Sequence, residues 1–195
     1  MPGGDAVAAE LNVLTVGYAD ERVAGTVVLI RDGDLVAVVD PGMVANRSRI
    51  LHPLQDLGIA ADEVTDVVFS HHHPDHTLNA ALFANARFHD FQAVYHDDVW
   101  LEREFTDDVS QLSPSVRLLL TPGHTPQDVS TLVETADGLV VCTHLWWTQH
   151  GPAEDPFAPD RELLRASRDK VLGLHPAQIV PGHGEPFAPG AGTPM

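Results

Sequence analysis

The sequence predicts a four-layer α/β sandwich, in which two β-sheets pack against each other and helices cover their outer faces. Three observations lead to this fold class: many short strand-like segments, a few helices between them, and a helix followed by a strand late in the chain. The length of 195 residues favours one domain and is ample for a buried core. We expect the domain to span residues 1–187 and residues 188–195 to form a flexible tail.

The first strands are predicted from β-rich segments. Leu11–Gly17, Thr26–Arg31 and Leu35–Val39 are such segments, and the turn signal Asp32-Gly33-Asp34 joins the last two as a hairpin. A short buried strand, Val67-Val68-Phe69, leads into a histidine cluster. Further strands are predicted at Ala86–His89, Phe91–Tyr95, Val116–Thr121, Ser130–Glu134, Leu139–Cys142 and Ile179-Val180.

Two helices are predicted from a capping residue and an apolar stripe. Asn46 caps the first helix, which runs through Leu57 and which Pro53 must kink or shorten. Asp160 caps the second, Arg161–Leu174. The apolar stripes are Ile50, Leu54 and Leu57 in the first helix, and Leu163, Leu164, Val171 and Leu172 in the second.

The charge balance argues against several classes of partner. The chain has 28 acidic and 11 basic residues, a formal net charge of −17, and no clustered Lys/Arg run. Such a surface repels nucleic acid and anionic membranes. The single cysteine, Cys142, excludes an internal disulfide, and no basic, apolar leader is visible at the start. We therefore expect a cytoplasmic protein with a small-molecule substrate, no nucleic-acid partner and no membrane segment.

Residues 70–76, Ser-His-His-His-Pro-Asp-His, carry the strongest chemical signal. His71, His73, Asp75 and His76 offer imidazole and carboxylate ligands, which Zn²⁺ and Fe²⁺ accept, within six residues. Pro74 helps to stop the strand, so the backbone can turn and bring them together. The alternative is a solvated polar loop. The position directly after a buried strand favours a metal site.

Two more histidines follow predicted strands in a matching context. Pro122-Gly123-His124 comes after one strand and Pro181-Gly182-His183 after another. Glycine lets the backbone turn sharply, so each imidazole can be directed into a shared cleft. Either histidine alone would more often belong to a turn, but with the cluster they supply two further ligands.

These residues resemble the metallo-β-lactamase superfamily over nearly the whole chain, including Val38-Val39-Asp40-Pro41-Gly42, which is similar to the Asp-containing turn of that family. The resemblance implies an αββα sandwich with a metal site at one edge of the sheets. It also implies two ligand sets: His71, His73 and His124 for the first metal, and Asp75, His76 and His183 for the second. Asp40 would support the ligands from behind, although a purely turn-forming role explains it equally well.

Four segments resemble one branch of the superfamily in more detail, without thereby indicating a substrate. They are Thr121-Pro122-Gly123-His124, Gln127-Asp128-Val129-Ser130, Ser167-Arg168-Asp169-Lys170-Val171-Leu172 and Val180-Pro181-Gly182-His183-Gly184.

One position departs from the family pattern. Where the family usually has an Asp that bridges two metals, the strand ending at Cys142 continues into Thr143-His144. The two nitrogens of an imidazole point apart, so His144 cannot bridge ions about 3.5–4 Å apart as a carboxylate can. His144 is therefore either a terminal ligand or no ligand, and we expect the second metal to bind more weakly.

The other histidines are interpreted as structural: His72 should point away from its ligating neighbours, and no motif surrounds His52, His89, His96, His150 or His175. Trp146 and Trp147 either wall a substrate pocket or pack against a sheet edge. Residues 149–159, which contain three prolines and two acids, predict a loop near the mouth of the site.

The predicted function is a metal-dependent hydrolase that uses a metal-bound hydroxide on a small ester, thioester or lactone. Asp75, the predicted catalytic residue, would orient the nucleophile and exchange a proton with it. The expected cofactor is one or two Zn²⁺ ions, with iron or manganese as alternatives. Glutathione thioesters and β-lactams are disfavoured, because an appended helical domain and a cationic clamp are not evident. The alternatives are a metal-dependent nuclease or phosphodiesterase and a non-enzymatic metal-binding protein.

Overall fold

The structure is a computed structural model that describes residues 8–195. Its strands are β1 (Glu10–Thr15), β2 (Tyr18–Ala19), β3 (Val23–Ala24), β4 (Val27–Asp32), β5 (Leu35–Val39), β6 (Asp66–Val68), β7 (Arg87–His89), β8 (Ala93–His96), β9 (Val99–Glu102), β10 (Val109–Ser113), β11 (Val116–Leu120), β12 (Val129–Thr135), β13 (Gly138–Thr143) and β14 (Gln178–Pro181). Its helices are α1 (Ser48–Asp56), α2 (Pro74–Thr77) and α3 (Arg161–Leu172), with 3₁₀ turns at Ala61–Glu63 and Ala80–Leu82.

The strands form two large sheets and a small ribbon. The first sheet has seven strands in the order β1-β4-β5-β6-β7-β8-β9, and the second has five in the order β10-β11-β12-β13-β14. Strands β2 and β3 pair as a separate ribbon. The parallel pairs are β5 with β6, β6 with β7, and β13 with β14. The two-sheet architecture confirms the predicted fold class.

The burial of β4 on both faces shows why the fold has four layers. Val28 and Ile30 face the core between the sheets, where they join residues such as Leu118 of the second sheet. Val27 and Leu29 alternate with them and pack on the other side, in the cluster that also contains residues of α1. A third cluster joins α3 to the outer face of the second sheet. Two sheets therefore lie between two helical layers.

Helix α1 tolerates the proline that the sequence placed inside it. Ile50 and Leu54 are its buried residues, as predicted, but Leu57 is exposed and lies beyond the last turn. Pro53 cannot donate to the carbonyl of Arg49 four residues earlier. The Thr15 hydroxyl of β1 donates to that carbonyl instead, at 2.5 Å. The helix therefore continues through the proline to Asp56.

The capping prediction is confirmed at α3 and was wrong by one residue at α1, where Arg47 is the N-cap and Asn46 precedes it. Asn46 Oδ1 accepts from Ser48 N–H at 3.0 Å. Asp160 accepts from the N–H groups of Glu162 and Leu163, which fixes the start of α3. The predicted stripe of α3 was wrong at one residue: Leu163 is exposed, while Arg168, one turn further on, is buried. The buried face of α3 is thus partly polar, which an apolar periodicity cannot indicate.

Sequence patterning missed two longer strands, β9 and β10. All four residues of β9 are exposed, and β10 has no fully buried residue, so neither shows the apolar alternation that marks a half-buried strand. Both are edge strands of their sheets. Among the described helices, none combines the length and apolar content needed to span a membrane.

The ends of four strands meet at one edge of the sandwich. Strands β11, β13 and β14 run in the same direction, because β12 is antiparallel to both β11 and β13 while β13 and β14 are parallel. Their carboxyl ends lie at the edge where β6 of the first sheet leads into residues 69–73. Every predicted metal ligand follows one of these four ends.

Residues 188–195 contact the body of the protein through Pro194, whose carbonyl oxygen accepts from the indole N–H of Trp146 at 2.7 Å, and Met195 lines a pocket beside α3. The flexibility of this tail stays a prediction, as do the domain limits.

Candidate metal centre

The segment after β6 places four potential ligands within one turn of chain. The backbone of His73 is extended (φ −66°, ψ 144°), and Pro74 follows as the first residue of α2. Pro74 suits that position because a helix leaves its first N–H groups unpaired. It therefore ends the strand-like segment and begins the short helix that carries Asp75 and His76.

The structure brings together both sets of residues implied by the family resemblance. His71, His73 and His124 each offer a ligand atom within 4.8 Å of the other two, and so do Asp75, His76 and His183. His71 Nε2 and His124 Nε2 lie 3.0 and 3.1 Å from His73 Nδ1. Asp75 Oδ2 lies 3.4 Å from His76 Nε2 and 3.5 Å from His183 Nε2.

Partners behind the two histidines of the second sheet fix which ring nitrogen carries hydrogen. His183 Nδ1 lies 3.0 Å from the carbonyl oxygen of Ala24, which can only accept, so Nδ1–H donates. His124 Nδ1 lies 2.8 Å from Asp155 Oδ2 and donates in the same way. In the neutral ring, the Nε2 atom of each histidine then carries no hydrogen, and its lone pair is directed into the cluster.

Asp40 fixes the histidines of the first sheet. Its carboxylate accepts from Ser70 N–H (2.7 Å), from the Ser70 hydroxyl (2.6 Å) and from His76 Nδ1–H (2.9 Å). Because the Ser70 hydroxyl donates to Asp40, its oxygen accepts from His71 Nδ1–H, 3.0 Å away. Asp40 therefore supports the ligands from behind, and it also occupies a turn with a positive φ of 53°.

The donor set fits a divalent metal. Several ring nitrogens that carry lone pairs point into the same space. One hydrogen placed between them could pair with at most two. Two buried ring nitrogens, His76 Nε2 and His144 Nδ1, have no hydrogen-bond partner among the described residues. Histidines that ligate metals characteristically donate their outer N–H to a carboxylate or carbonyl, as His76, His124 and His183 do. A cation bound here would satisfy the nitrogens that hydrogen bonds leave unpaired.

The electrostatics of the cluster favour neutral imidazoles at His71, His144 and His183 but a protonated one at His76, which lies between two carboxylates. Burial, followed by the neighbouring imidazoles, holds the pKa values of His71 and His144 well below the usual range. The same causes lower the pKa of His183 to about 4. Burial acts in the same direction on His76, but Asp40 and Asp75 outweigh it and raise its pKa to about 9. Burial raises the pKa of Asp75, but the interaction with His76, whose Nε2 lies 3.4 Å from Asp75 Oδ2, outweighs it and lowers the pKa to about 2.

His144 lies at the centre of the cluster. Its ring centroid is 4.1 Å from that of His124, 4.6 Å from His71 and 4.7 Å from His76. Its Nε2 is 3.0 Å from His183 Nε2, and it offers a ligand atom within 4.8 Å of those of His71 and His76. A Cβ on residue 182 would lie 2.4 Å from the His144 ring, so Gly182 leaves the space that this imidazole occupies.

Sequence reasoning missed Asp155, which the structure places directly behind the site. Its side chain is fully buried. Oδ2 accepts from His124 Nδ1–H (2.8 Å) and from the indole N–H of Trp147 (2.9 Å), and Oδ1 accepts from Phe157 N–H (2.9 Å). The sequence feature that could have indicated this role is an acidic residue between prolines in the predicted mouth loop, residues 149–159.

Arg168 holds that loop in place. Its guanidinium donates to the carbonyl oxygens of Leu145, Pro152 and Ala153 at 2.7–2.9 Å. It thereby ties the loop to the segment just after His144. Arg168 belongs to one of the four segments that resemble a single branch of the family.

A cavity of about 620 Å³ opens beside the histidine cluster. Its floor consists of polar groups and its rim is largely apolar. The lining residues are Ala19, Asp20, Val23, His73, Asp75, His124, Trp147, Pro156, Phe157 and His183. The two tryptophans therefore differ: Trp147 walls the cavity, while Trp146 is buried in the core beside α3. A second cavity of about 610 Å³ lies near β1 and β13, and no histidine lines it.

The remaining histidines lie outside the cluster. His72 points away as predicted, with Nε2 3.1 Å from Asp90 Oδ2. His89 is buried and its Nε2 is 2.7 Å from Asp66 Oδ1, which places it in a separate ion-pair network with Arg87.

Comparisons with known proteins agree with this geometry. Residues 20–90 match the model of the metallo-β-lactamase superfamily. The chain is 31% identical over 189 residues to metallo-β-lactamase domain-containing protein 1 of Xenopus laevis, covering 91% of this chain and 80% of that protein. It is 27% identical over 140 residues to an N-acyl homoserine lactonase of a Bacillus species, covering 64% of this chain and 56% of the lactonase.

Solved structures of the same superfamily share this fold. A metallo-β-lactamase-like protein of Thermotoga maritima superposes with a TM-score of 0.72 at 23% identity, covering 93% of this chain and all of the other. The branch indicated by the four segments is that of metallo-β-lactamase domain-containing protein 1. The αββα architecture, the assembled histidine cluster and this identity over most of the chain lead to one conclusion: the chain belongs to the metallo-β-lactamase superfamily of hydrolases.

Proposed function

We propose that this protein is a metal-dependent hydrolase of small esters or lactones with two adjacent metal positions, and that the metal is zinc. The observation that carries the proposal is the convergence of lone-pair nitrogens on the floor of a cavity with an apolar rim. Imidazole-rich donor sets suit zinc better than magnesium, calcium or manganese, which prefer oxygen ligands.

The ligand assignment follows the two sets that the fold assembles. His71, His73 and His124 would hold the first metal, and Asp75, His76 and His183 the second. His144 would be a terminal ligand through one nitrogen, because it is fully enclosed by the other histidines and its Nδ1 lacks a hydrogen bond.

A bound zinc ion lowers the pKa of a water ligand towards 7 and polarises a carbonyl group, and these are the two contributions that hydrolysis requires. The chain's own residues supply orientation and proton transfer. Asp75 lines the cavity and stays ionised near neutral pH, so its carboxylate can accept the proton of an attacking water and return it to the leaving group. Asp40 and Asp155 hold the ligating imidazoles in the orientation that leaves Nε2 free.

The size and lining of the cavity favour small substrates. No lysine or arginine lines it, so a carboxylate or phosphate on the substrate finds no cationic clamp in the described residues. A lactone is a cyclic ester, and the Bacillus relative is named as a lactonase. The net charge of −17 further disfavours nucleic acid as substrate.

The test combines metal analysis with a substrate panel. Elemental analysis of the purified protein should find zinc, up to two ions per chain. The protein should hydrolyse p-nitrophenyl acetate and N-hexanoyl homoserine lactone, and not single-stranded RNA. His124→Ala should remove the activity and at least one metal. His72→Ala, in the same loop system but directed away from the cluster, is the matched control and should retain both.

Two results would contradict the proposal. One is metal-dependent cleavage of RNA with no turnover of any ester or lactone, which would favour the nuclease alternative. The other is stoichiometric metal binding without turnover of either substrate class, which would favour a metal-binding protein that is not an enzyme.

A further inference from the structure

The rim of the cavity is built from two separate segments, and both present large apolar side chains to solvent. The β2–β3 ribbon contributes Ala19 and Val23, and the mouth loop contributes Pro156 and Phe157. Phe157 is 64% exposed and Val23 is 39% exposed. Exposed apolar groups gathered around a cleft indicate a surface that a ligand covers.

The aromatic part of this rim is held in a defined orientation. The rings of Trp147 and Phe157 stack with centroids 5.8 Å apart and an interplanar angle of 17°. Asp155 fixes both residues, through the Trp147 indole N–H and the Phe157 backbone N–H. The Phe157 ring is also 5.8 Å from the ring of His124, so the apolar wall begins directly beside the proposed reacting group.

The charge on the rim is negative. Asp20 is the one charged side chain among the rim residues, and its Oδ1 accepts only a neutral backbone N–H, that of Arg22, at 3.0 Å. The Arg22 guanidinium lies 5.7 Å from the Tyr18 ring centroid and does not line the cavity. A negative charge on a bound acyl chain would therefore meet Asp20, and no lysine or arginine is among the described residues that line the cavity.

We infer that the cavity seats an apolar acyl chain without negative charge, with the Trp147–Phe157 stack as its wall and Asp20 as the residue that excludes anionic chains. The inference rests on the proposed function, because it takes the reacting carbonyl to lie over the histidine floor. Bound metals would make that floor positive, but they would face the reacting carbonyl group. The far end of the acyl chain would lie at the rim, beside Asp20.

The test uses ligands that anchor at the metals and place a tail in the rim. Hexanohydroxamic acid and adipic acid monohydroxamate share the same zinc-binding group and chain length, and differ in a terminal methyl against a terminal carboxylate. Calorimetry with the zinc-loaded protein should show the uncharged ligand binding more tightly by about tenfold, the effect of one like charge at close range in partly screened surroundings. Equal affinity, or preference for the anion, would overturn the inference.

Matched variants of the ribbon isolate the role of Asp20. Asp20→Asn keeps the oxygen that accepts from Arg22 N–H and removes the charge, so the preference for the uncharged hydroxamate should fall at least threefold. Glu21→Gln removes one charge from the neighbouring exposed residue, which does not line the cavity, and should leave the preference unchanged. Equal effects of the two variants would show that only the overall protein charge acts, which overturns the assignment to Asp20.

The aromatic wall is tested through the length of the tail. Phe157→Ser should weaken hexanohydroxamate several-fold and acetohydroxamate much less, because the longer tail covers more of the wall. Leu163→Ser, a comparable change of an exposed leucine outside the cavity, should affect neither ligand. Equal loss of affinity for both ligands in Phe157→Ser would contradict the placement of the tail.

These measurements separate the inference from the proposed function. If the hydroxamate preference is found but no ester or lactone is hydrolysed, the hydrolase proposal fails and the assignment of the cavity stands. If esters are hydrolysed and the two six-carbon hydroxamates bind equally, the hydrolase proposal stands and the inference fails. If neither hydroxamate binds the zinc-loaded protein, the cavity does not seat a metal-anchored chain and the inference is also overturned.

Discussion

The two sheets contribute to the metal centre in different ways. The first sheet supplies His71, His73, Asp75 and His76 from a single turn of chain after β6. The second sheet supplies His124, His144 and His183 from the ends of three different strands, separated by 20 and 39 residues in the sequence. The first group is local, and the second exists only when β11, β13 and β14 lie side by side.

The supports behind the ligands also differ, because one follows a strand and the other lies in a loop. Asp40 directly follows β5, which pairs with β6, and accepts three hydrogen bonds from Ser70 and His76, 30 and 36 residues away in the sequence. Asp155 supports His124 from a loop 31 residues away, and that loop is itself held by Arg168. We call the ligands of the first sheet, residues 70–77, the first flank, and those of the second sheet, His124, His144 and His183, the second flank. The first flank is therefore expected to keep its shape without metal. The second depends on metal and on loop packing for its alignment.

Metal removal should separate the two flanks most strongly. Exhaustive chelation should abolish hydrolysis and lower stability by about 3 kcal/mol for each metal removed, relative to protein in metal at a hundred times the dissociation constant. Hydrogen exchange should rise more in residues 121–125, 143–148 and 181–184 than in residues 70–77. Re-addition of zinc should restore both readouts. A larger rise in residues 70–77 would contradict the division into a preorganised and a metal-dependent flank.

Among substitutions of the residues behind the ligands, Asp40→Ala should have the largest effect. It removes the support of His76 directly and that of His71 through Ser70, and it places alanine at a positive φ. Affinity should fall by about 100-fold at both metal positions, with added loss of stability from the backbone conformation.

Asp40→Asn is the matched control for the turn, since Asn tolerates a positive φ. It should lose metal affinity but retain more of the stability, measured by isothermal calorimetry and thermal unfolding. Full retention of metal affinity in either variant would show that Asp40 serves the turn alone.

Asp155→Asn should act on one metal position only. Affinity should fall by about 10- to 100-fold at the position held by His124, because three N–H donors face the two oxygens of Asp155 and Asn offers only one acceptor oxygen and no charge. The position of Asp75, His76 and His183 should change little. A two-site titration measures both, and the intrinsic fluorescence of Trp147 should respond to the change beside its indole N–H.

Glu154→Gln controls for the loss of charge from the same loop, since Glu154 is exposed and pairs with Arg161 at 2.9 Å. It should leave both metal positions unchanged. Equal weakening of both positions by Asp155→Asn would mean that the loop supports the whole centre and not one flank.

The smallest expected effect concerns the packing of His144 against Gly182. Gly182→Ala should destabilise the protein by about 1–3 kcal/mol, because its Cβ would overlap the His144 ring. In a His144→Ala background the same substitution should cost almost nothing, since the three nearest atoms all belong to that ring. Thermal or urea unfolding of the four proteins gives the coupling energy. Additive effects would contradict the tight fit between these two residues.

Local features of the sequence were sufficient to predict those site residues that belong to a motif. His71, His73, Asp75 and His76 are close in the chain, and a strand followed by proline already requires the backbone to turn there. His124 and His183 were predicted from the strand–Pro-Gly-His context, and their convergence follows from strand direction. The side-chain hydrogen bonds that Asn46 accepts just before α1 and Asp160 accepts as the cap of α3 also depend only on residues two or three positions away.

The tertiary structure alone decided the remaining features. The burial of Arg168, the exposure of Leu163 and the difference between Trp146 and Trp147 all depend on which segment packs above each side chain. The role of Asp155 depends on contacts across 31 residues of chain. An isolated acidic residue in a loop has the same local pattern whether it faces water or a buried imidazole, because the partner that distinguishes the two cases comes from another part of the fold.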